Sequence, residues 1–151
     1  MSDYPFVNAR EGREKQRYDG ETRLVVGCVV YSGDKFLLIS SHKRKDKWVF
    51  PKGGWESDET ESEAAIRECF EEAGIEGTFG DCISTIVYPN KLGKPVQWRL
   101  FTMKCTKEYD WWPEKDHRDR KWVRKEDLEG LNICPLTQQH IPHVLEFLSK
   151  Q

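Results

Sequence analysis

No segment of this 151-residue chain approaches the roughly 20 consecutive apolar residues that a membrane-spanning helix needs. Met1 to Gln16 is polar and lacks the apolar stretch of a secretory leader. These absences predict a soluble chain with no membrane partner, placed in the cytoplasm and also in the nucleus. The cysteines agree: Cys28, Cys69, Cys82, Cys105 and Cys134 are odd in number, scattered and without a C-x-x-C pair, which fits reduced thiols rather than a disulfide framework. His140 and His143 are three residues apart but have no cysteine or carboxylate of matching spacing, so no zinc site is expected. A net charge of −2 gives no electrostatic ground for a nucleic-acid partner. There is no internal repeat and no low-complexity linker. With 37% hydrophobic residues the chain can bury one core and is too short for two ordinary domains. A polar tail over 1–16 and a single domain over 17–151, acting as a monomer, are expected.

What the chain has is charge sorted by sign. Acidic residues crowd Glu56 to Glu72, while Lys43, Arg44, Lys45, Lys47 and Lys52 lie immediately upstream. Ser57 and Asp58 can cap a helix start, Thr60 to Ala73 are mostly good helix formers, and Gly74 suits the left-handed position past a helix end. On such a helix Glu68, Glu71 and Glu72 fall within about 100° of one another, with Ile66, Cys69, Phe70 and Ala73 gathered opposite. Taken alone, a glutamate run on a helix is ordinarily a solvated face. Three carboxylates this close repel unless a cation sits among them, and hard oxygen donors favour Mg²⁺ or Mn²⁺.

Elsewhere, Leu24 to Tyr31 and Lys35 to Ser40 are apolar, β-branched runs around Ser32-Gly33-Asp34 and predict a hairpin. Gly77 to Gly80 predicts a turn, Cys82 to Val87 and Val96 to Cys105 predict strands joined by a loop over Pro89 to Pro95, and Arg120 to Arg124 predicts a short strand. Ile141, Val144, Leu145 and Leu148 are spaced for an amphipathic helix over Gln138 to Ser149.

Gly53-Gly54-Trp55-Glu56-Ser57-Asp58-Glu59, followed by Thr60 to Ile66 and then Arg67-Glu68-Cys69-Phe70-Glu71-Glu72-Ala73-Gly74-Ile75, resembles the Nudix box G-x5-E-x7-R-E-U-x-E-E-x-G-U at every defined position. Nine positions at fixed spacing outweigh the solvated-face reading. The resemblance implies an α/β fold, an α/β/α sandwich with a mixed central sheet and a loop-helix-loop box, and metal-dependent hydrolysis of a phosphoanhydride with Mg²⁺ or Mn²⁺ as cofactor. It implies that Glu59 and Arg67 pair to lock loop to helix, that Glu68, Glu72 and the Gly53 carbonyl hold metal, and that Glu71 is the general base.

Outside the box, Arg17-Tyr18-Asp19-Gly20, Ser40-Ser41-His42-Lys43, Lys47 to Gly54, and Asp110-Trp111 with Arg118 to Trp122 look like the diphosphoinositol polyphosphate phosphohydrolases. That likeness, from about Arg17 to Pro135, implies removal of the β-phosphate of inositol pyrophosphates and cleavage of diadenosine polyphosphates and inorganic polyphosphate. Carried over by position, the substrate contacts are Arg17, Arg23, Ser41, Lys43, Lys52, Gly53, Gly54, Lys91 and Arg118, with Lys45, Lys94 and Arg120 as weaker candidates. The chain departs from the pattern where Cys134 replaces a basic residue and where Arg23 stands alone before the first strand. Another Nudix nucleotide pyrophosphatase, an mRNA-decapping enzyme and a non-catalytic polyphosphate-binding module are the competing readings.

Overall fold

Side-chain alternation along two central strands explains the layering. In the computed structural model, which describes residues 14–151, strands β2 (Thr22–Ser32) and β3 (Lys35–Ser40) form the expected hairpin, with Tyr31 opposite Phe36 and Ser32 opposite Lys35. Val26, Cys28 and Val30 of β2, with Leu37 and Ile39 of β3, join one buried cluster; Val25, Val29, Phe36 and Leu38 join another. A strand buried on both faces reads as a continuous apolar run, as Leu24 to Tyr31 does.

Helix α1 (Glu61–Ala73) covers the first face through Ala64, Ala65, Cys69 and Ala73. Helix α2 (Pro135–Ser149) covers the second through Ile141 and Val144. No helix among the described residues is long and apolar enough to cross a membrane.

The sheet between them is mixed. Short β1 (Tyr18–Asp19) and β5 (Lys52–Gly54) pair antiparallel with β2. Short β4 (Trp48–Val49) and β8 (Arg120–Val123) pair with β3. The long β6 (Ile75–Pro89) and β7 (Pro95–Glu108) pair with each other, and β7 lies parallel to β2 from Arg23 opposite Val96 to Tyr31 opposite Lys104. The fold is therefore the expected α/β/α sandwich.

Three local expectations change. The turn expected over Gly77 to Gly80 is part of β6, where the register with β7 shifts after Glu76, after Phe79 and after Cys82. A Cβ on Gly77 would strike the Lys104 carbonyl, and one on Gly80 the Thr102 hydroxyl, so these glycines mark bulges with close backbone approach. Helix α2 starts at Pro135 rather than Gln138, because proline is well suited to the first helical position. Residues 1–13 of the expected tail lie outside the described residues, but Lys15 and Gln16 are docked. The Lys15 carbonyl accepts from Ser57 N–H at 2.6 Å, and Gln16 bridges to Glu56.

Candidate active site

Helix α1 is fixed at both ends. Its N-cap is Thr60 rather than Ser57 or Asp58: the Thr60 hydroxyl accepts from Glu63 N–H and the Glu63 carboxylate accepts from Thr60 N–H at 2.8 Å. At the other end Gly74 adopts φ 68°, ψ 35°, and its N–H donates to the Phe70 carbonyl. No basic residue sits in the last turn; instead Arg120, from β8, donates to the Ala73 carbonyl at 2.9 Å and to the Tyr109 carbonyl, and lies over the Trp112 ring. Arg120 thus complements the helix dipole and does not face the cleft beside the carboxylates.

The acidic side of α1 is not a solvated face, since Glu68, Glu71 and Glu72 are all buried. Arg67, 2% exposed, makes this tolerable. Its Nε and Nη2 fork onto Glu59 at 2.9 and 2.6 Å, Nη1 donates to Glu68 at 2.8 Å and to Glu71 at 3.0 Å, and Nη2 also reaches the Gly54 carbonyl at 3.1 Å. The fork ties the loop to the helix, while Trp55 Nε1 and Glu56 N–H donate to Glu59. Arg17, expected to meet substrate, instead donates to the carbonyls of Glu56, Ser57 and Glu59 and lies 4.7 Å over the Trp55 ring. It shapes the loop from behind.

A cleft of about 270 Å³ opens over this network, lined by Arg23, Lys52, Gly53, Gly54, Glu68 and Glu72 among others. Gly53 is there because a Cβ would land in the Glu68 carboxylate. Glu72 accepts from Lys52 N–H at 2.9 Å. Burial, then the neighbouring Glu72 and Glu71 charges, hold Glu68 well above the usual carboxylate range. Burial pushes Glu72 up to about 7 against the opposing pull of Arg118.

A second cleft of about 280 Å³ shares Lys52 and Glu72 with the first and adds Ser41, Lys43 and Arg118 over an apolar lining that includes Phe50, Trp98 and Leu136. Lys52 Nζ lies 5.3 Å from the Trp98 ring centre, and burial lowers its pKa. Lys91 and Lys45 line neither cleft, and Lys94 pairs with Glu21 at 3.7 Å. Glu71 also lies behind the cleft wall, 3% exposed and held by Arg67.

Two participants were absent from the sequence reading. Gln16 accepts from Arg23 Nε at 3.1 Å and donates to the Leu24 carbonyl at 2.8 Å, so it fixes the cleft edge. Glu114 holds Arg118 at 3.0 Å, and its N–H donates to the Glu71 carbonyl. Nothing in a lone glutamate marks such a role, although its i,i+4 spacing to Arg118 is a usable hint.

Oxygen donors from Gly53, Glu68 and Glu72 suit Mg²⁺ or Mn²⁺ in kind. Among the described residues, however, no group of three or more His, Cys, Asp or Glu is arranged as a ready cage. The carboxylates are turned to arginines instead.

The NUDIX domain pattern matches residues 21–146. The chain belongs to the Nudix family. Among curated relatives, Nudix hydrolase 12, mitochondrial, of Arabidopsis thaliana is 38% identical over 154 residues, covering 85% of this chain and 74% of that protein. Mouse diphosphoinositol polyphosphate phosphohydrolase 3-alpha is 31% identical over 119 residues, covering 78% and 68%. Among solved Nudix-like structures, the Caenorhabditis elegans Ap4A hydrolase binary complex has a TM-score of 0.68 at 29% identity, covering 85% of this chain and 98% of that one. A Nitrosomonas europaea NUDIX hydrolase reaches a TM-score of 0.69 at 20% identity, covering 80% and 86%. Family membership makes this Nudix chain a pyrophosphohydrolase acting on small molecules, in a family that generally uses divalent metal.

The comparisons also overturn the cytoplasmic and nuclear placement, because Nudix hydrolases 12, 13 and 17 of A. thaliana are named as mitochondrial. The apolar stretch that the N-terminal residues lack is a mark of secretory leaders. Organelle-directed leaders are amphipathic and rich in arginine and serine, so that absence has no bearing on them.

Proposed function

We propose that residues 17–151 form one monomeric domain that removes the β-phosphate of inositol pyrophosphates and also cleaves dinucleoside polyphosphates and inorganic polyphosphate, with Mg²⁺ or Mn²⁺. The observation that carries this reading is the meeting of two clefts at Glu72 and Lys52, one walled by carboxylates and the other by Ser41, Lys43 and Arg118. A densely phosphorylated substrate needs cationic donors beside the group that binds metal. The likeness to the mouse diphosphoinositol enzyme supports the first substrate class. The apolar lining from Phe50, Trp98 and Leu136, with the likeness to the C. elegans Ap4A hydrolase, supports the second, since a nucleobase needs such a surface.

In this reading Gly53, Glu68 and Glu72 hold the metal, which when bound neutralises charge developing on the phosphate oxygens. Lys52, Lys43 and Arg23 orient the phosphates. Glu68 and Glu72, ionised on the metal, cannot also take the proton of the attacking water, and Glu71, assigned as base from the sequence, is held by Arg67 at 3.0 Å behind the cleft wall. Glu68→Gln then lowers kcat more than Glu71→Gln does; the reverse order returns the base to Glu71. The substrate reading is tested by specificity constants on an inositol pyrophosphate, diadenosine tetraphosphate, polyphosphate and capped RNA with each metal. Preferential release of methylguanosine diphosphate from capped RNA would replace this reading with decapping.

A further inference from the structure

Arg118 was expected to meet substrate, and the structure places it on carboxylates. Its Nε lies 3.0 Å from Glu114 Oε1 and its Nη1 donates to the Ser40 carbonyl at 3.1 Å, while Nη2 lies 3.3 Å from Glu72 Oε2. The Arg118 and Glu72 side chains are 11% and 10% exposed, so their attraction is weakly screened. The guanidinium therefore has a root and a branch. Nε and Nη1 are rooted on Glu114 and on the end of β3, two separate segments of chain, and only Nη2 touches Glu72. That branch also borders the second cleft, beside Ser41, Lys43 and Lys52.

A divalent cation held by Glu72 would meet Nη2 at the same carboxylate. Two cations there repel, and the doubly charged one prevails. The guanidinium is planar and moves as one body, so a small tilt about its Glu114 and Ser40 contacts carries Nη2 from Glu72 towards the cleft, where the donors of a phosphate site are already gathered.

We propose, resting on the reading of Glu72 as a metal holder, that Arg118 is an internal counter-cation that occupies Glu72 until divalent metal takes it and then presents Nη2 to a substrate phosphate. Glu114 is the positioning residue for this exchange. Metal on one side of Glu72 thereby adds a donor on the other, so metal and anionic substrate bind with positive cooperativity.

The test titrates Mn²⁺ alone into the 151-residue chain, without substrate, following free Mn²⁺ by electron paramagnetic resonance and Tm by circular dichroism. Arg118→Gln is expected to tighten Mn²⁺ binding by about five- to tenfold, because a competitor is gone. Lys43→Gln, a cation of the same cleft with no bond to Glu72, sets the size of the general field effect and is expected to change affinity by less than about twofold. Glu114→Gln is expected to weaken binding, since it removes a negative charge and leaves Arg118 on Glu72. Arg118→Gln should lower Tm without metal, and that deficit should close at saturating Mn²⁺. Arg118→Lys, which keeps the charge but cannot span Glu114 and Glu72 together, should tighten binding by about two- to threefold and serves if the glutamine variant fails to fold. Mn²⁺ affinity in the Arg118 variants no tighter than in Lys43→Gln, or a Tm deficit that persists at saturation, overturns the exchange alone. A wild-type chain that takes up no Mn²⁺ overturns the metal-site reading and the exchange with it.

Discussion

Arg67 divides its donors among Glu59, Gly54, Glu68 and Glu71, and every one of those partners is needed to make a buried guanidinium affordable. Removing one member of such a network leaves the others uncompensated. Arg67→Gln is expected to cost about 3–5 kcal/mol in urea denaturation, and to lower turnover of all substrates together. The Gly53→Ala change acts differently: its methyl group would displace the Glu68 carboxylate, so it should cut metal affinity by about 10- to 100-fold with a smaller loss of stability. The Glu59 and Arg67 partnership was legible because the box fixes their spacing. The duties of Arg17 and Arg120 were not, because both donate to backbone carbonyls, which leave no mark in a sequence. Glu72 supplies a pH dependence. Its folded value of about 7 lies above the ordinary 4.5, so without metal its contribution to stability is present below pH 4.5 and is lost as pH rises through 7. Thermal unfolding between pH 5 and 8 should show this decline, and saturating Mg²⁺ should remove it, because the metal stabilises the ionised form.

At the level of elements, α1 and α2 are held by different devices. α1 relies on its caps and on Arg120. α2 relies on apolar contacts and on His140, which is fully buried, joined to Ser84 of β6 through Nδ1 at 2.6 Å and set edge-on against Trp98. Its Nε2 has no partner among the described residues, and burial lowers its pKa from 6.5 to about 4. The stability this neutral ring contributes is present above pH 6.5 and is lost as pH falls through 4, by linkage on the order of 3 kcal/mol. His140→Gln should flatten that acid limb in thermal melts. The sequence left the partner of His140 unassigned, since helical spacing alone cannot say that Ser84 lies opposite. The β2–β3 hairpin and the capping Gly74 were readable because alternation and turn chemistry are local. The bulged course of β6 was not, because Gly77 and Gly80 look like a turn until Lys104 and Thr102 are seen against them.

For the molecule as a whole, the mixed sheet gathers segments far apart in sequence. Ser40 to Lys43 at the end of β3, Lys52 to Gly54 on β5, α1 and Arg118 before β8 meet around one carboxylate. Chemistry and recognition should therefore separate by mutation. Glu72→Gln is expected to abolish turnover of every substrate while keeping the fold, whereas Lys43→Ala should reduce kcat/KM for inositol pyrophosphates far more than for dinucleotides. Equal losses across substrates for Lys43→Ala would remove the proposed cationic cleft. The box made the carboxylate cluster legible, because its members sit at fixed spacing; substrate preference depends on which lysines the loops bring together, and Lys91, carried over by position, lines neither cleft.

The Arg67 fork also imposes an order on assembly of the chain. A molecule whose segment 54–59 is still open would carry a guanidinium into an apolar interior with half its partners missing, so loop closure and helix docking must happen as one cooperative event. Partly built molecules are then too costly to persist, and hydrogen exchange at α1 amides should be as slow as in the central strands.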